Sequence, residues 1–160
     1  MHTTRVTQQV SAAPAAVYRA LTDREAVARW RMPDDMRCEV HEFEAREGGR
    51  FRVSLTYDAP DAAGKSGGNT DTYHGHFARL VPDEQVVEVL EFETDDPAMR
   101  GAMTMTTTLV PAGEGTEVVV VHEGLPDAVP AADNETGTRM ALARLARLVE
   151  VEVEGEGEGR

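Results

Sequence analysis

The stretch 133–150 constrains the fold most, because it is the longest part of this 160-residue sequence whose apolar residues recur at helical spacing. At about 100° per residue, those residues fall on one stripe of a helix while the arginines point elsewhere. The stripe consists of Thr138, Ala141, Leu142, Leu145, Leu148 and Val149. Asp133, Asn134 and Thr136 are candidate caps at its start, where the helix dipole also favours an acid. A helix with one apolar stripe needs a second apolar surface to cover it.

The chain before this helix begins with a predicted strand and two short helices. The stretch 3–10 has strand-forming residues without a helical period, and we expect it at or near a sheet edge. Pro14 fits the first turn of a helix that stops near Thr22. A capping-box pattern at 22–25 then starts a second helix, which Pro33 ends.

A β-hairpin is predicted next, over 37–57. Apolar and charged residues alternate in both of its arms, and the Glu-Gly-Gly-Arg sequence at 47–50 is typical of the turn between them. The following stretch, 58–71, is rich in Gly, Asp, Ala and Ser. It predicts a mobile connection that is either disordered or a flap, and disorder is the preferred interpretation.

Four further strands are predicted from the same alternation, with turns between them. They cover 72–81, 86–92, 103–110 and 117–122. The valines at 118–121 are apolar on both faces, so we expect both sides of the last strand to be covered. Because exposed β-branched surface is often covered by a second copy of a chain, a homodimer is also expected. The pattern as a whole predicts an α+β fold with mainly antiparallel strands.

The length is right for one domain, which we place at 1–152. The remaining stretch, 153–160, alternates Gly with Glu and is expected to be a flexible acidic tail.

A formal net charge of -13 at pH 7 argues against a nucleic-acid partner. No stretch approaches the roughly 20 apolar residues that span a bilayer, so no membrane partner is expected. Cys38 is the single cysteine and no signal-like apolar run opens the sequence, so a cytoplasmic location is the expectation.

Several stretches, taken in this order, carry a family resemblance. They are APAAVYRALTDREAVARW, the GGRF turn, PDEQVVEV and MTMTTTLVPAGEGTEVVVVHEGLPD. Together with the order of elements, they resemble the START-like (SRPBCC, Bet v-like) superfamily, and within it the bacterial homologues of the activator of the heat-shock-protein-90 ATPase. The resemblance covers roughly residues 3 to 150. It implies a helix-grip fold, in which a curved antiparallel sheet of about seven strands grips the long C-terminal helix and leaves a cavity between the two.

The resemblance also marks one departure, at the start of the long helix. Proteins of this kind commonly have Gly-Trp there, whereas this sequence has Gly137 followed by Thr138. Since that position is on the inward stripe, we expect the cavity to be larger by something like an indole ring and slightly more polar. Either the neighbouring Met103, Met105 and Met140 refill the space or a guest does.

The candidate cavity residues are apolar and semi-polar side chains on the faces predicted to point inward. They are Trp30, Phe51, Tyr57, Tyr73, Phe77, Phe92, Met103, Met105, Thr138 and Leu142. Taken singly, each is more typical of core than of a ligand contact. Trp30, the sole tryptophan, is interpreted as the core anchor at the end of the pair of short helices.

Three functions are compatible with such a cavity. The leading hypothesis is a non-enzymatic binding protein for a small hydrophobic molecule or a protein client, and the resemblance adds a chaperone-associated module. The alternative is a cyclase, dehydratase or hydrolase in which His122, Tyr73 or His74 transfers protons. A buried carboxylate or histidine on the cavity wall favours the enzyme, and a wholly apolar wall favours binding.

Metal and cofactor sites have little support in the sequence. His74 and His76 share one face of a strand, and His122 or His41 would be needed as a third ligand. Two histidines on a half-exposed strand are more often solvated. The sequence has no phosphate-binding glycine loop or dinucleotide fingerprint, so neither a metal nor a cofactor is predicted.

Overall fold

One curved antiparallel sheet of seven strands makes up most of the fold. The structure is a computed structural model and describes residues 1–58 and 69–158. The strands are β1 (His2–Val10), β2 (Met36–Phe43), β3 (Arg50–Tyr57), β4 (Thr70–Val81), β5 (Gln85–Phe92), β6 (Met103–Ala112) and β7 (Gly115–Leu125). Their order in the sheet is β1-β7-β6-β5-β4-β3-β2, so β2 to β7 form a meander and β1 pairs with its last strand. The predicted α+β fold is confirmed, and β1 lies at an edge as expected.

Two short helices, α1 (Pro14–Thr22) and α2 (Arg24–Trp30), follow β1 as predicted. The cap between them differs from the prediction, because Asp23 rather than Thr22 accepts the first backbone N–H, from Ala26 at 2.9 Å. Thr22 instead donates its hydroxyl to the carbonyl of Tyr18 within α1. Trp30 is 5% exposed and its indole N–H donates to the carbonyl of Ala20 at 2.8 Å, which confirms it as a core anchor.

A long helix, α3 (Ala131–Glu158), ends the described chain. It buries Leu142, Leu145 and Val149 and exposes Arg139 and Arg147, which confirms the predicted stripe. It begins earlier than expected, so the three candidate caps lie inside the helix and do not cap it. It also continues beyond the predicted end at residue 150, and the flexibility expected of 153–160 stays a prediction.

The stripe of α3 belongs to the same core as the inward face of the sheet. Val6, Val10, Val118 and Val120 on β1 and β7 face the helix side and are buried. Among the elements that α3 contacts, β1 is the main one, with α1 and α2 beside it. The fold therefore encloses its core between one sheet and three helices, as a helix grip requires.

Two sequence predictions concern surfaces around this core. The connection expected at 58–71 lies largely outside the described residues. On β7, outward-facing Val119 is buried between its cross-strand partners Thr7 and Thr108, so both faces of that strand are covered there. The homodimer stays a prediction. Among the helices of the described residues, none has the length and apolar character needed to cross a membrane.

The first testable prediction concerns the stripe of α3. Leu145 is 0% exposed, so Leu145→Ala removes buried methyl groups and leaves a cavity, which lowers the free energy of unfolding by about 2–5 kcal/mol. Arg147→Ala, on the exposed side of the same helix, is the matched control and changes it by less than about 0.5 kcal/mol. Urea unfolding measures both. Equal losses in the two variants would contradict the burial of this stripe.

Candidate functional site

A cavity of about 340 Å³ lies between α3, the end of α2 with the residues that follow it, and the inward face of the sheet. Seven of the predicted cavity residues contribute to its wall: Trp30, Tyr57, Tyr73, Phe92, Met105, Thr138 and Leu142. The other three, Phe51, Phe77 and Met103, are packed into the core instead, each at most 1% exposed. The sequence pattern thus placed all ten on the inward side, but it did not separate the wall of the cavity from the layer behind it.

Methionines form a larger part of the wall than the two candidates Met103 and Met105 predict. Met32, Met36 and Met99 line the cavity together with Met105. Met32 lies between α2 and β2 and Met36 is the first residue of β2, where no period of two or 3.6 is established that would show the direction of a side chain. Unbranched thioether side chains adapt to guests of different shape.

Thr138 lies on the cavity wall, as the position after Gly137 was expected to. Its hydroxyl donates to the carbonyl of Asn134 at 2.8 Å, one turn earlier in the helix. The hydroxyl that was expected to make the cavity more polar therefore already donates its hydrogen bond within α3. Of the three methionines proposed to refill the space, Met105 lines the cavity, Met103 is buried in the core and Met140 is half-buried.

A row of inward-facing residues crosses four neighbouring strands next to the cavity. The register pairs Glu88 of β5 with Met105 of β6, Met105 with His122 of β7, and His122 with Thr4 of β1. Glu88, His122 and Thr4 are all buried, at 2%, 8% and 3% exposure. Three polar side chains in one buried row each need a partner, because unpaired polar groups are costly in the interior.

Arg31 is the partner of Glu88. It follows α2 and makes two hydrogen bonds to the carboxylate, from Nη1 to Oε1 at 2.6 Å and from Nη2 to Oε2 at 3.0 Å. Its guanidinium carbon lies 5.8 Å from the ring centre of Phe51 and 5.5 Å from that of Tyr73. Burial works to lower the pKa of Arg31, but the charge of Glu88 outweighs it and the pKa is raised above its usual value. Arg31 lines the cavity as a permanent cation whose charge Glu88 offsets.

Tyr73 and His122 are the two proposed proton-transfer groups that line the cavity. Burial raises the pKa of Tyr73, with Arg31 opposing the shift. Burial lowers the pKa of His122 to about 4, and the charge of Arg31 lowers it further in the same direction. Both side chains are therefore neutral near pH 7.

Asn134 and Thr4 complete the surroundings of His122. The side-chain nitrogen of Asn134 lies 3.3 Å from Nδ1 of the imidazole, and the hydroxyl of Thr4 donates to the side-chain oxygen of Asn134 at 2.6 Å. Asn134 was predicted as a cap, but the early start of α3 turns its side chain toward the sheet. Its contact with His122 joins residues that no local pattern in the sequence connects.

His74, the third proposed proton-transfer group, lies on the outer face of the sheet. It contacts Glu91 at 3.0 Å and Glu93 at 3.1 Å, and Arg52 makes two hydrogen bonds to Glu93. The sheet thus separates it from His122. Among the residues that the structure describes, no three His, Cys, Asp or Glu side chains are grouped so as to hold a metal ion.

The sheet, the gripped helix and the cavity between them define a helix-grip domain. The chain belongs to the family described as Activator of Hsp90 ATPase homolog 1-like protein, whose model matches residues 11–150. Membership supports, in general terms, a ligand-binding or chaperone-associated module. Comparison with curated proteins gives no match.

Solved structures agree with this assignment. A protein from Chromobacterium violaceum is 35% identical over 92% of this chain and 96% of its own, with a TM-score of 0.83. A protein from Rhodobacter sphaeroides is 22% identical over 93% and 92% of the two chains, with a TM-score of 0.77. An AHSA1 protein from Silicibacter pomeroyi is 16% identical over 94% and 99%, also with a TM-score of 0.77. The last two show the fold alone.

The buried ion pair leads to a second prediction. Arg31→Met or Glu88→Leu alone leaves one buried charge without its partner and lowers the free energy of unfolding by about 3–5 kcal/mol. The double variant removes both charges, so it loses less than the sum of the two single losses. A double-mutant cycle by urea unfolding measures the difference. Additive losses would contradict a coupled pair.

A third prediction concerns acid stability. The pKa of His122 is about 4 in the folded state against 6.5 for an ordinary histidine, so between those values the unfolded chain binds a proton that the folded chain does not. Stability therefore falls as pH is lowered from about 6.5 to 4, by an amount on the order of 3 kcal/mol from this residue. The variant His122→Gln has no imidazole to protonate, so its free energy of unfolding should fall by correspondingly less on acidification. Parallel unfolding curves at pH 7 and pH 4 test it; equal acid losses in both proteins would contradict it.

Proposed function

We propose that this protein binds a small, uncharged, hydrophobic molecule in the cavity between α3 and the sheet. The observation that supports this most is the cavity itself, about 340 Å³ in volume and walled largely by apolar side chains. Protein interiors are otherwise close-packed, with few voids larger than a water molecule. Empty apolar space lowers stability, and this volume is within the range of small-molecule sites.

The charges around the cavity favour an uncharged guest. Arg31 is the cation on the wall, and Glu88 already pairs with it through two hydrogen bonds. Asp133 also lines the cavity, and the whole chain carries a formal charge of -13. An anionic guest would meet like charges, and it would find no unpaired cation among the described residues of the wall.

Catalysis in the same cavity is the second candidate, because a buried histidine does lie on the wall. A general acid or base works best when its pKa lies near the working pH. Here the pKa of His122 is lowered to about 4, while the pKa values of Tyr73 and Arg31 are raised. All three shifts move the pKa values further from the neutral pH range. This favours binding of a guest over proton transfer to it.

A chaperone-associated role with a protein client is the third candidate. It rests on membership of the family, which supports such a module only in general terms. Likeness in one domain does not carry over the activity of a larger relative. The cavity adds no support to this role, since its volume of about 340 Å³ suits a small molecule.

The fourth prediction tests guest binding by filling the cavity. Thr138→Trp places an indole ring in the space next to Gly137, so the neutral dye N-phenylnaphthylamine should bind at least about tenfold more weakly while the melting temperature stays the same or rises. Thr136→Trp, on an exposed position of the same helix, is the matched control and should leave dye binding unchanged. Fluorescence titration and thermal unfolding give both quantities.

Two results would count against the proposal. The first is a wild-type protein that binds no dye and retains no small molecule in native mass spectrometry after purification. The second is a Thr138→Trp variant that loses about 1–3 kcal/mol of stability, as overpacking of a filled core does.

A further inference from the structure

Three side chains from three separate elements form a short hydrogen-bonded chain that ends at the cavity. Thr4 on β1 donates its hydroxyl to Oδ1 of Asn134 in the first turns of α3, at 2.6 Å. At 2.6 Å the separation is typical of an O–H···O bond and shorter than N–H···O bonds usually are, so the amide oxygen rather than the amide nitrogen faces Thr4. The amide nitrogen then faces His122, 3.3 Å from its Nδ1, and donates to it.

This chain determines the tautomer of His122. The ring is neutral near pH 7, and its Nδ1 accepts a hydrogen bond, so the single ring proton is on Nε2. His122 is 8% exposed, and among the described residues Nε2 has no hydrogen-bond partner. A buried donor without an acceptor is unfavourable, and in a native structure it marks a place where a partner belongs.

We propose that the Nε2–H of His122 anchors the guest by donating a hydrogen bond to a carbonyl oxygen, so that the ligand class is an uncharged, apolar carbonyl compound such as an aromatic or aliphatic ketone. This inference rests on the proposed binding function and names the chemistry of its guest. Thr4 and Asn134 are positioning residues, because they act through the tautomer of His122.

The surroundings of His122 favour a carbonyl compound over the other guests. A pure hydrocarbon leaves the Nε2–H unsatisfied, and an anion meets the carboxylate of Asp133 on the same wall. Met105 is the direct cross-strand neighbour of His122 and also lines the cavity. Its unbranched side chain can change rotamer and give a guest oxygen access to the buried nitrogen.

The tautomer is tested first, without any guest. Long-range proton–nitrogen NMR on protein labelled at histidine should show His122 with its proton on Nε2. Thr4→Val keeps the shape of the side chain but removes the hydroxyl, so the amide of Asn134 can turn and a population protonated on Nδ1 should appear. A wild-type ring protonated on Nδ1 overturns the anchor, whatever the binding data show.

The anchor is then tested with two probes of matched shape, benzophenone and 1,1-diphenylethene, which differ in a C=O against a C=CH₂ group. NMR titrations of the wild type and of His122→Phe give four dissociation constants. The ratio of ketone affinity to alkene affinity should be about three- to tenfold larger in the wild type than in His122→Phe. A factor of this size corresponds to the free energy of one net hydrogen bond. The Nε2 proton signal of the wild type should move downfield with the ketone and stay in place with the alkene.

The outcomes separate the two proposals. Equal affinity ratios in both proteins, with both probes bound, overturn the carbonyl anchor and leave the binding function standing. Failure of the wild type to bind either probe or the dye overturns the binding function and the anchor with it. If His122→Phe does not fold, the response of the Nε2 proton to the ketone decides: a signal that stays in place overturns the anchor.

Discussion

The structure depends on the burial of one helix face against one face of a sheet. An antiparallel sheet of seven strands has an inward face of apolar side chains that must be covered, and Leu142, Leu145 and Val149 of α3 supply the cover along β1 and β7. Burial of such side chains contributes about 1.5–3 kcal/mol each. Among the strands, α3 packs mainly against β1. Toward β4 and β5 the two surfaces separate, and the cavity occupies that gap.

A buried ion pair and a buried hydrogen-bonded chain lie beside this gap. Apolar packing alone would fill the space there but would not fix how the helices sit against the strands. Arg31 ties the end of α2 to β5 through Glu88, and Asn134 ties the start of α3 to β7 and β1. Each is costly if one partner is lost. The two together fix where the end of α2 and the start of α3 lie against the sheet, at the border of the cavity.

The fold could be predicted from the sequence because its strands and helices show as local periods of apolar residues. The alternation in 103–110 and the stripe in 133–150 each fix a direction for every side chain, so Met105 and Leu142 were placed correctly on the inward side. The polar part of the site could not be predicted in the same way. The alternation that turns Val86 and Leu90 inward also turns Glu88 inward, but its partner Arg31 is 57 residues away in the chain and follows a helix end without a period.

The single tryptophan gives the protein a built-in optical reporter. Trp30 donates a hydrogen bond from its indole N–H to the carbonyl of Ala20, and it is one of the residues that line the cavity. No second indole in the sequence adds background emission. The wavelength and intensity of its fluorescence therefore depend on whether water, a side chain or a foreign molecule occupies the space beside it.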